Sequence, residues 1–264
     1  MPPTIVLIHG LYLTPRSWDG WIDRFQQKGF QLLAPAWPGL EGEVEQLKAD
    51  PSPIARQNVT EILDHYENII RGLDSPPIVM GHSFGGAFTQ LLVDRGLGSA
   101  AVAIESAAVR GVRDLPLSTL KSGLPLLRNP FLRHRAIMLT PEQFNYGFTN
   151  TFPAAEAAKV YERYAIPGSR NVLLEGAFCN FNPKTALRVD FTKNDRAPLL
   201  FIAGGEDHVI PLPVNKHNAE KYSTSTAVTD YKEYPGRAHF TMKQEGWEEI
   251  ADYALDWATQ HASS

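Results

Sequence analysis

The sequence contains a single cysteine, Cys179, among its 264 residues. One cysteine cannot form an internal disulfide, and no Cys-x-x-Cys pair or His/Cys cluster has the spacing of a zinc site. Basic residues are not in excess either, because 25 Lys and Arg stand against 29 Asp and Glu, for a formal net charge of −4. These absences predict no structural metal and argue against nucleic acid as a partner.

Long apolar runs are also missing, so no segment is predicted to span a bilayer. Residues 1–10 have no basic segment ahead of an apolar one, as a secretion signal would. Hydrophobic residues make up 43% and charged residues 20% of the chain, as in ordinary globular proteins. We therefore expect a cytoplasmic protein with no membrane association, either a monomer or a homodimer, that binds a small molecule.

Short β-branched runs alternate with segments of helical period, a pattern typical of parallel strands joined by helical crossovers. Strands are predicted at residues 4–10, 30–37, 77–83, 99–107, 197–208 and 227–234. The intervening helices include one whose apolar residues recur every three or four positions from Val59 to Leu73. The sequence thus predicts an α/β fold with a doubly wound, mostly parallel sheet.

The alternation stops between residues 110 and 195, where prolines recur and helical fragments replace the strands. We interpret residues 110–195 as an inserted, mainly helical cap on a core formed by residues 1–109 and 196–264. The cap is rich in large apolar side chains, which are Phe131, Met138, Phe144, Tyr146, Phe148, Phe152, Phe178 and Phe181. The acidic stretch at residues 39–53 is interpreted as a solvated loop.

A Gly-x-Ser-x-Gly pattern at Gly81, Ser83 and Gly85 lies between a predicted strand and a predicted helix. At such a turn the serine takes a strained backbone conformation, and neighbouring side chains would collide with the chain. Glycines remove those collisions, and the helix that follows directs backbone N–H groups at the serine. The context favours a nucleophile over a structural turn.

Two further residues lie where strands end. Asp207, in the segment 204–211, lies just beyond the carboxyl end of the strand predicted within residues 197–208, and His239 lies in the loop after the last predicted strand. Because the carboxyl ends of parallel strands share one edge of the sheet, both side chains can converge on Ser83. Rival candidates for these two roles are the acids Glu206 and Glu105 and the bases His208 and His217.

With the His-Gly pair at 9–10, the segment at 81–86, Asp207 and His239, the chain resembles the α/β-hydrolase superfamily over nearly its whole length. The resemblance implies a sheet of about six strands, flanked by helices, since the two leading strands of larger members are not found ahead of residue 4. It also implies a reaction that uses no cofactor.

The resemblance assigns roles to individual residues. It implies that Ser83 is the nucleophile, His239 the general base and Asp207 the acid that orients the imidazole. An oxyanion hole would come from the backbone N–H groups of Leu11 and Phe84. These roles fit the chemistry, because a serine hydroxyl needs a base to become nucleophilic and the developing oxyanion needs prepositioned donors.

We therefore expect a serine hydrolase, a carboxylesterase or lactonase, that acts on a small hydrophobic substrate through an acyl-enzyme. Side chains predicted to line its pocket are Tyr12, His82, Phe144, Phe148 and Phe178. The alternatives are a receptor-like binding protein with little turnover and a cofactor-free lyase or perhydrolase that uses the same triad. A lyase of the hydroxynitrile type would be expected to have a lysine next to the base, and this chain has Phe240 at that position.

Overall fold

The computed structural model describes residues 2–114 and 134–262. Its main sheet has six strands in the order β2-β1-β3-β4-β7-β8, and every neighbouring pair is parallel. A separate antiparallel pair joins β5 and β6. The strands are β1 (Ile5–Ile8), β2 (Leu32–Leu33), β3 (Ile78–His82), β4 (Ala100–Ile104), β5 (Ala136–Ile137), β6 (Gly168–Ser169), β7 (Leu199–Gly204) and β8 (Thr229–Tyr234). The predicted doubly wound sheet of six strands is confirmed.

Helices cover both faces of this sheet, and the four central strands β1, β3, β4 and β7 are buried along their whole length. Strands buried on both faces are apolar throughout instead of alternating, as these are. The helices are α1 (Asp19–Gln27), α2 (Val44–Ala49), α3 (Ser52–Arg56), α4 (Val59–Arg71), α5 (Phe84–Asp94), α6 (Pro141–Phe148), α7 (Ala154–Tyr164), α8 (Arg170–Ala177), α9 (Leu212–Glu220) and α10 (Trp247–His261).

The edge strand β2 is shorter than predicted. Only Leu32 and Leu33 pair with β1, although the apolar run extends over residues 30–37. Pro35 follows closely and has no N–H to donate to a ladder, so the pairing ends there. The backbone then turns toward Trp37, whose buried ring packs on the core.

The interpretation of residues 39–53 as a solvated loop is wrong, because α2 and the start of α3 lie within them. The backbone N–H of Glu43 donates to Oε1 of Gln46 at 3.0 Å, which caps the first turn of α2. Val44 and Leu47, three residues apart, are both buried. The charged residues around them, Glu43, Glu45 and Lys48, obscured a short amphipathic helix in the sequence.

The chain between β4 and β7 contributes α6, α7, α8 and the β5–β6 pair. Helices α6 and α7 contact each other and lie where helical fragments were predicted. Phe131 and the rest of residues 115–133 lie outside the described residues. The division of the chain into a core and a cap stays a prediction. None of the helices in the described ranges is long and apolar enough to cross a bilayer.

Candidate active site

Ser83 occupies a tight turn between the last residue of β3 and the first residue of α5. Its backbone has φ of 58° and ψ of −119°, a conformation that costs a non-glycine residue about 1–3 kcal/mol. A Cβ at Gly81 would lie 2.0 Å from the carbonyl oxygen of Gly85, and a Cβ at Gly85 would lie 2.1 Å from that of Ile8. Glycine is therefore required on both sides of the serine.

The structure brings Ser83, His239 and Asp207 together in one hydrogen-bonded chain. Nε2 of His239 lies 3.0 Å from Oγ of Ser83, and Nδ1 lies 2.7 Å from Oδ2 of Asp207. The other carboxylate oxygen of Asp207 accepts hydrogen bonds from the backbone N–H groups of Val209 and Ile210, at 2.7 and 2.8 Å. All three side chains belong to residues that are at most 4% exposed.

This arrangement determines where the imidazole proton lies. A carboxylate only accepts hydrogen bonds, so Nδ1 of His239 carries a hydrogen and donates it to Asp207. Nε2 then presents its lone pair to the hydroxyl of Ser83, the orientation that a general base needs. The site can therefore take a proton from Ser83 and stabilise the imidazolium that results.

The loop after β1 lies directly against Ser83. A Cβ at Gly10 would be 2.9 Å from Cβ of Ser83, so the loop packs against the serine just before it continues to Leu11. Within the described ranges that amide meets no hydrogen-bond acceptor. The amide of Phe84 is the first of α5 and has no partner within the helix. Neither N–H group has a backbone acceptor in the described ranges, and the assignment of both to an oxyanion hole stays a prediction.

His9 fixes the loop that contains Gly10. Its Nδ1 donates to the carbonyl of Gly10 at 2.9 Å, and its Nε2 accepts from the backbone N–H of Trp37 at 3.2 Å. Because a backbone N–H can only donate, Nε2 is unprotonated. Burial lowers the pKa of His9 to about 4, so the ring stays neutral at pH 7.

A second buried pair, His82 and Glu105, lies behind His239. Nε2 of His82 lies 2.7 Å from the carbonyl oxygen of His239 and 3.3 Å from Oε2 of Glu105, so Nε2 carries the hydrogen. Burial holds the pKa of Glu105 well above its ordinary value, and the charge of Asp207 adds to the effect. Burial also lowers the pKa of His82, so both side chains are neutral.

Asp207, and not its rivals, makes the short contact with the base. Oε2 of Glu105 is 3.9 Å from Nδ1 of His239, beyond hydrogen-bond distance. The competing histidines bond elsewhere, His208 to the carbonyl of Tyr146 and His217 to Asp114.

Three of these side chains could also be considered as metal ligands. Among the described residues, His82, Glu105 and His239 offer atoms that all lie within 4.8 Å of one another. However, the two ring nitrogens concerned donate hydrogen bonds to the His239 carbonyl and to Asp207. A metal ion would have to displace both hydrogens, so the geometry favours a hydrogen-bond network.

The aromatic residues predicted to line the pocket divide into two groups. The ring of Phe148 stands edge-on to His239 at 4.9 Å and to Tyr12 at 6.3 Å, and Phe144 stacks on Phe148 at 4.5 Å. His82 is fully buried beside His239, and Phe144 is fully buried as well, so the place of both in a pocket stays a prediction. Phe178 is 49% exposed, because it follows α8 on the surface. The sequence prediction missed one buried charged residue nearby, Arg170 at the start of α8.

Comparisons with known proteins agree with this architecture. A model of the Alpha/beta hydrolase family matches residues 5–253. Monoacylglycerol lipase of Paleococcus ferrophilus is similar in structure, with 20% identity, a TM-score of 0.67, and coverage of 99% of this chain and 96% of that chain. Tomato methylketone synthase I in complex with 2-tridecanone aligns with 15% identity over 99% of each chain, with a TM-score of 0.70. A pyrethroid hydrolase from Sphingobium faniae aligns with 17% identity over 98% of each chain, with a TM-score of 0.65. No curated protein matches the sequence.

Proposed function

The chain belongs to the alpha/beta hydrolase family, and on that premise we propose that it is a serine hydrolase that cleaves a carboxylic ester or lactone. The observation that carries the proposal is the continuous hydrogen-bonded chain from Ser83 through His239 to Asp207. Ser83 stands at the strained turn where that hydroxyl is presented for attack.

The reaction has two halves. Oγ of Ser83 attacks the ester carbonyl while Nε2 of His239 takes the hydroxyl proton, and the N–H groups of Leu11 and Phe84 stabilise the oxyanion. Collapse of the tetrahedral intermediate expels the alcohol, which receives the proton from His239 and leaves an acyl-serine. A water molecule, deprotonated by His239, then attacks the acyl-serine. Collapse of this second tetrahedral intermediate releases the acid, while His239 returns the proton to Oγ of Ser83. Asp207 stabilises the imidazolium in each half.

The walls of the site support an apolar substrate portion. Phe148, Phe144 and the ring of Tyr12 form connected aromatic contacts that reach His239. Two of the similar structures are by name a monoacylglycerol lipase and a pyrethroid hydrolase, which is consistent with hydrolysis of an ester that carries an apolar group. We propose a small-molecule ester or lactone as substrate, with no cofactor.

The test is covalent labelling with a fluorophosphonate, read by intact mass spectrometry. We expect one adduct on the wild-type protein and none on Ser83→Ala. Ser99→Ala is the matched control, because Ser99 is also a buried serine but immediately precedes β4, at the amino-terminal edge of the sheet and away from Ser83. This variant should be labelled like the wild type. Failure of the wild type to label, or an adduct that remains on Ser83→Ala, would contradict the proposal.

A panel of p-nitrophenyl esters of increasing chain length, together with several lactones, tests turnover. We expect a burst of p-nitrophenol followed by a slower steady state, the signature of an acyl-enzyme. A stoichiometric burst without steady-state product would indicate a binding protein that captures its ligand instead of an enzyme. Loss of all activity in Ser83→Ala is expected for either class of substrate.

A further inference from the structure

Arg170 is a buried cation, and two of its three guanidinium nitrogens have no hydrogen-bond partner among the described residues. Its residue is 5% exposed, and Nε and Nη2 of its guanidinium are buried without a hydrogen-bond partner among the described residues. The segments outside the described ranges contain no Asp or Glu in their sequence, at residues 115–133 or at either end. No carboxylate side chain in the described part of the chain pairs with Arg170, and the remaining segments have none to offer.

The second buried arginine, Arg196, shows how the fold accommodates such a group elsewhere. Its Nη1 donates to the carbonyls of Ala197 and Val228, and its Nη2 donates to the carbonyl of Ala227 and the hydroxyl of Thr229. Only its Nε lacks a partner among the described residues, whereas Arg170 also leaves Nη2 unpaired. A buried guanidinium without acceptors is unfavourable, because desolvation of the charge is not compensated. The unpaired Nε and Nη2 of Arg170 are thus donors that an acceptor on a bound ligand can satisfy.

Arg170 lies in a segment that runs across the oxyanion side of Ser83. Two residues before it, a Cβ at Gly168 would lie 2.5 Å from Cε1 of Tyr12. Further along α8, a Cβ at Gly176 would lie 2.5 Å from Cζ of Phe84. The segment therefore packs on the side chains of Tyr12 and Phe84, the residues that follow Leu11 and Ser83.

The hydroxyl of Tyr12, on whose ring this segment packs, is a second polar group without a partner among the described residues. It is buried without a hydrogen-bond partner among the described residues. The positive charge of Arg170 acts on it, since it opposes part of the rise that burial causes in the pKa of Tyr12. The ring of Phe148 contacts both Tyr12 and His239, so Tyr12 is one aromatic ring away from the general base.

We propose that Arg170 and the Tyr12 hydroxyl form a carboxylate subsite, and that the preferred substrates are esters whose acyl chain ends in a carboxylate. A guanidinium and a phenol hydroxyl both donate, and a carboxylate accepts from both. The aromatic side chains then contact the methylene chain between the carboxylate and the ester. This inference rests on the proposed esterase function and replaces a wholly hydrophobic substrate with an amphiphilic one.

The test compares matched pairs of methyl esters by titration of the acid released. Monomethyl glutarate, adipate and pimelate are each paired with the neutral methyl ester in which an isopropyl group replaces the carboxylate. In the wild type we expect kcat/KM for at least one anionic ester to exceed that of its neutral partner about tenfold or more. Arg170→Gln should lower the anionic-to-neutral ratio about 10- to 100-fold, the factor for losing a hydrogen bond to a charged group.

Two further variants make the result specific. Tyr12→Phe should lower the same ratio by a smaller factor, and Arg170→Lys should retain part of the preference because it keeps the charge. Arg56→Gln is the matched control, since it removes the same charge from an exposed residue of α3; its ratio should equal that of the wild type. Competitive inhibition by free glutarate, weaker in Arg170→Gln than in the wild type, gives a readout independent of turnover.

The outcomes separate this inference from the function on which it rests. If neutral esters are hydrolysed but no anionic ester is preferred, or if the ratio is unchanged in Arg170→Gln, the carboxylate subsite is refuted and the esterase stands. If neither series is hydrolysed and Ser83 takes up no fluorophosphonate, the esterase itself is refuted. Should Arg170→Gln fail to fold, the wild-type preference and the Arg170→Lys ratio still decide the question.

Discussion

Replacement of Asp207 by asparagine should reduce kcat/KM by about 10³- to 10⁴-fold, because the structure determines which way the new amide turns. One carboxylate oxygen of Asp207 accepts from the N–H groups of Val209 and Ile210, at 2.7 and 2.8 Å. Only an oxygen can take that place, since an NH₂ group there would face two donors. The amide nitrogen must therefore turn toward Nδ1 of His239.

That orientation gives the imidazole the wrong tautomer. The amide N–H donates to Nδ1, so Nδ1 must present a lone pair and the hydrogen moves to Nε2. A protonated Nε2 lies 3.0 Å from Oγ of Ser83 and cannot accept its proton. In serine proteases the same substitution lowers kcat by about 10⁴-fold, which corresponds to about 5.5 kcal/mol at 1.36 kcal/mol per factor of ten.

The assay is kcat/KM on the best ester, with the rate of fluorophosphonate labelling as a second measure of the reactivity of Ser83. Glu105→Gln is the matched control, because it is the other acid near the base and lies 3.9 Å from Nδ1 of His239. Burial keeps the pKa of Glu105 high, so glutamine resembles the neutral acid, and we expect a change of less than about tenfold. The reasoning is refuted if Asp207→Asn loses less than tenfold or loses less than Glu105→Gln.

Three further predictions concern Gly85 at the nucleophile turn, the buried His9 and the buried Cys179. Gly85→Ala, whose Cβ would lie 2.1 Å from the carbonyl oxygen of Ile8, should abolish folding or activity. Gly29→Ala has open space around its Cβ but a backbone φ of 87°, so it should lower the free energy of unfolding in urea by only about 1 kcal/mol. The free energy of unfolding should fall by on the order of 3 kcal/mol as the pH drops from 6.5 to about 4, because His9 binds a proton at a higher pH in the unfolded state than in the folded state. In His9→Gln the difference between the free energies of urea unfolding at pH 7 and pH 4 should shrink. An unchanged difference would exclude His9 as the cause. Cys179, buried and with its pKa raised by burial, should react with a disulfide reagent only after unfolding, and rapid reaction of the native protein would contradict its burial.

The sequence predicted much of the fold because its signals are local. Apolar runs of strand length and the stripe from Val59 to Leu73 follow directly from burial against a sheet. The glycines around Ser83 are required because the backbone of Gly81 lies close to that of Gly85, and Gly85 lies close to the backbone of β1. The prediction failed at residues 39–53, where charged side chains hide α2, and at β2, where pairing ends before Pro35.

The candidate site was predictable in its residues but not in its contacts. That Ser83, Asp207 and His239 lie at the carboxyl edge of the sheet follows from strand order and polarity. Their catalytic roles and the division into core and cap stay predictions, as does the cytoplasmic location. Phe178 follows a helix whose exposed end the sequence does not reveal.

By itself the sequence determined the order of strands and helices, the turn that presents Ser83 and the loops in which an acid and a base follow. These features depend on neighbours in the chain, whose periodicity and glycines can be read directly. Only the tertiary structure decided that Asp207 lies 2.7 Å from the imidazole while Glu105 lies 3.9 Å away, and that Nε and Nη2 of Arg170 are buried without an acceptor among the described residues. Distances of this kind are determined by packing between segments far apart in the chain, so no local pattern encodes them.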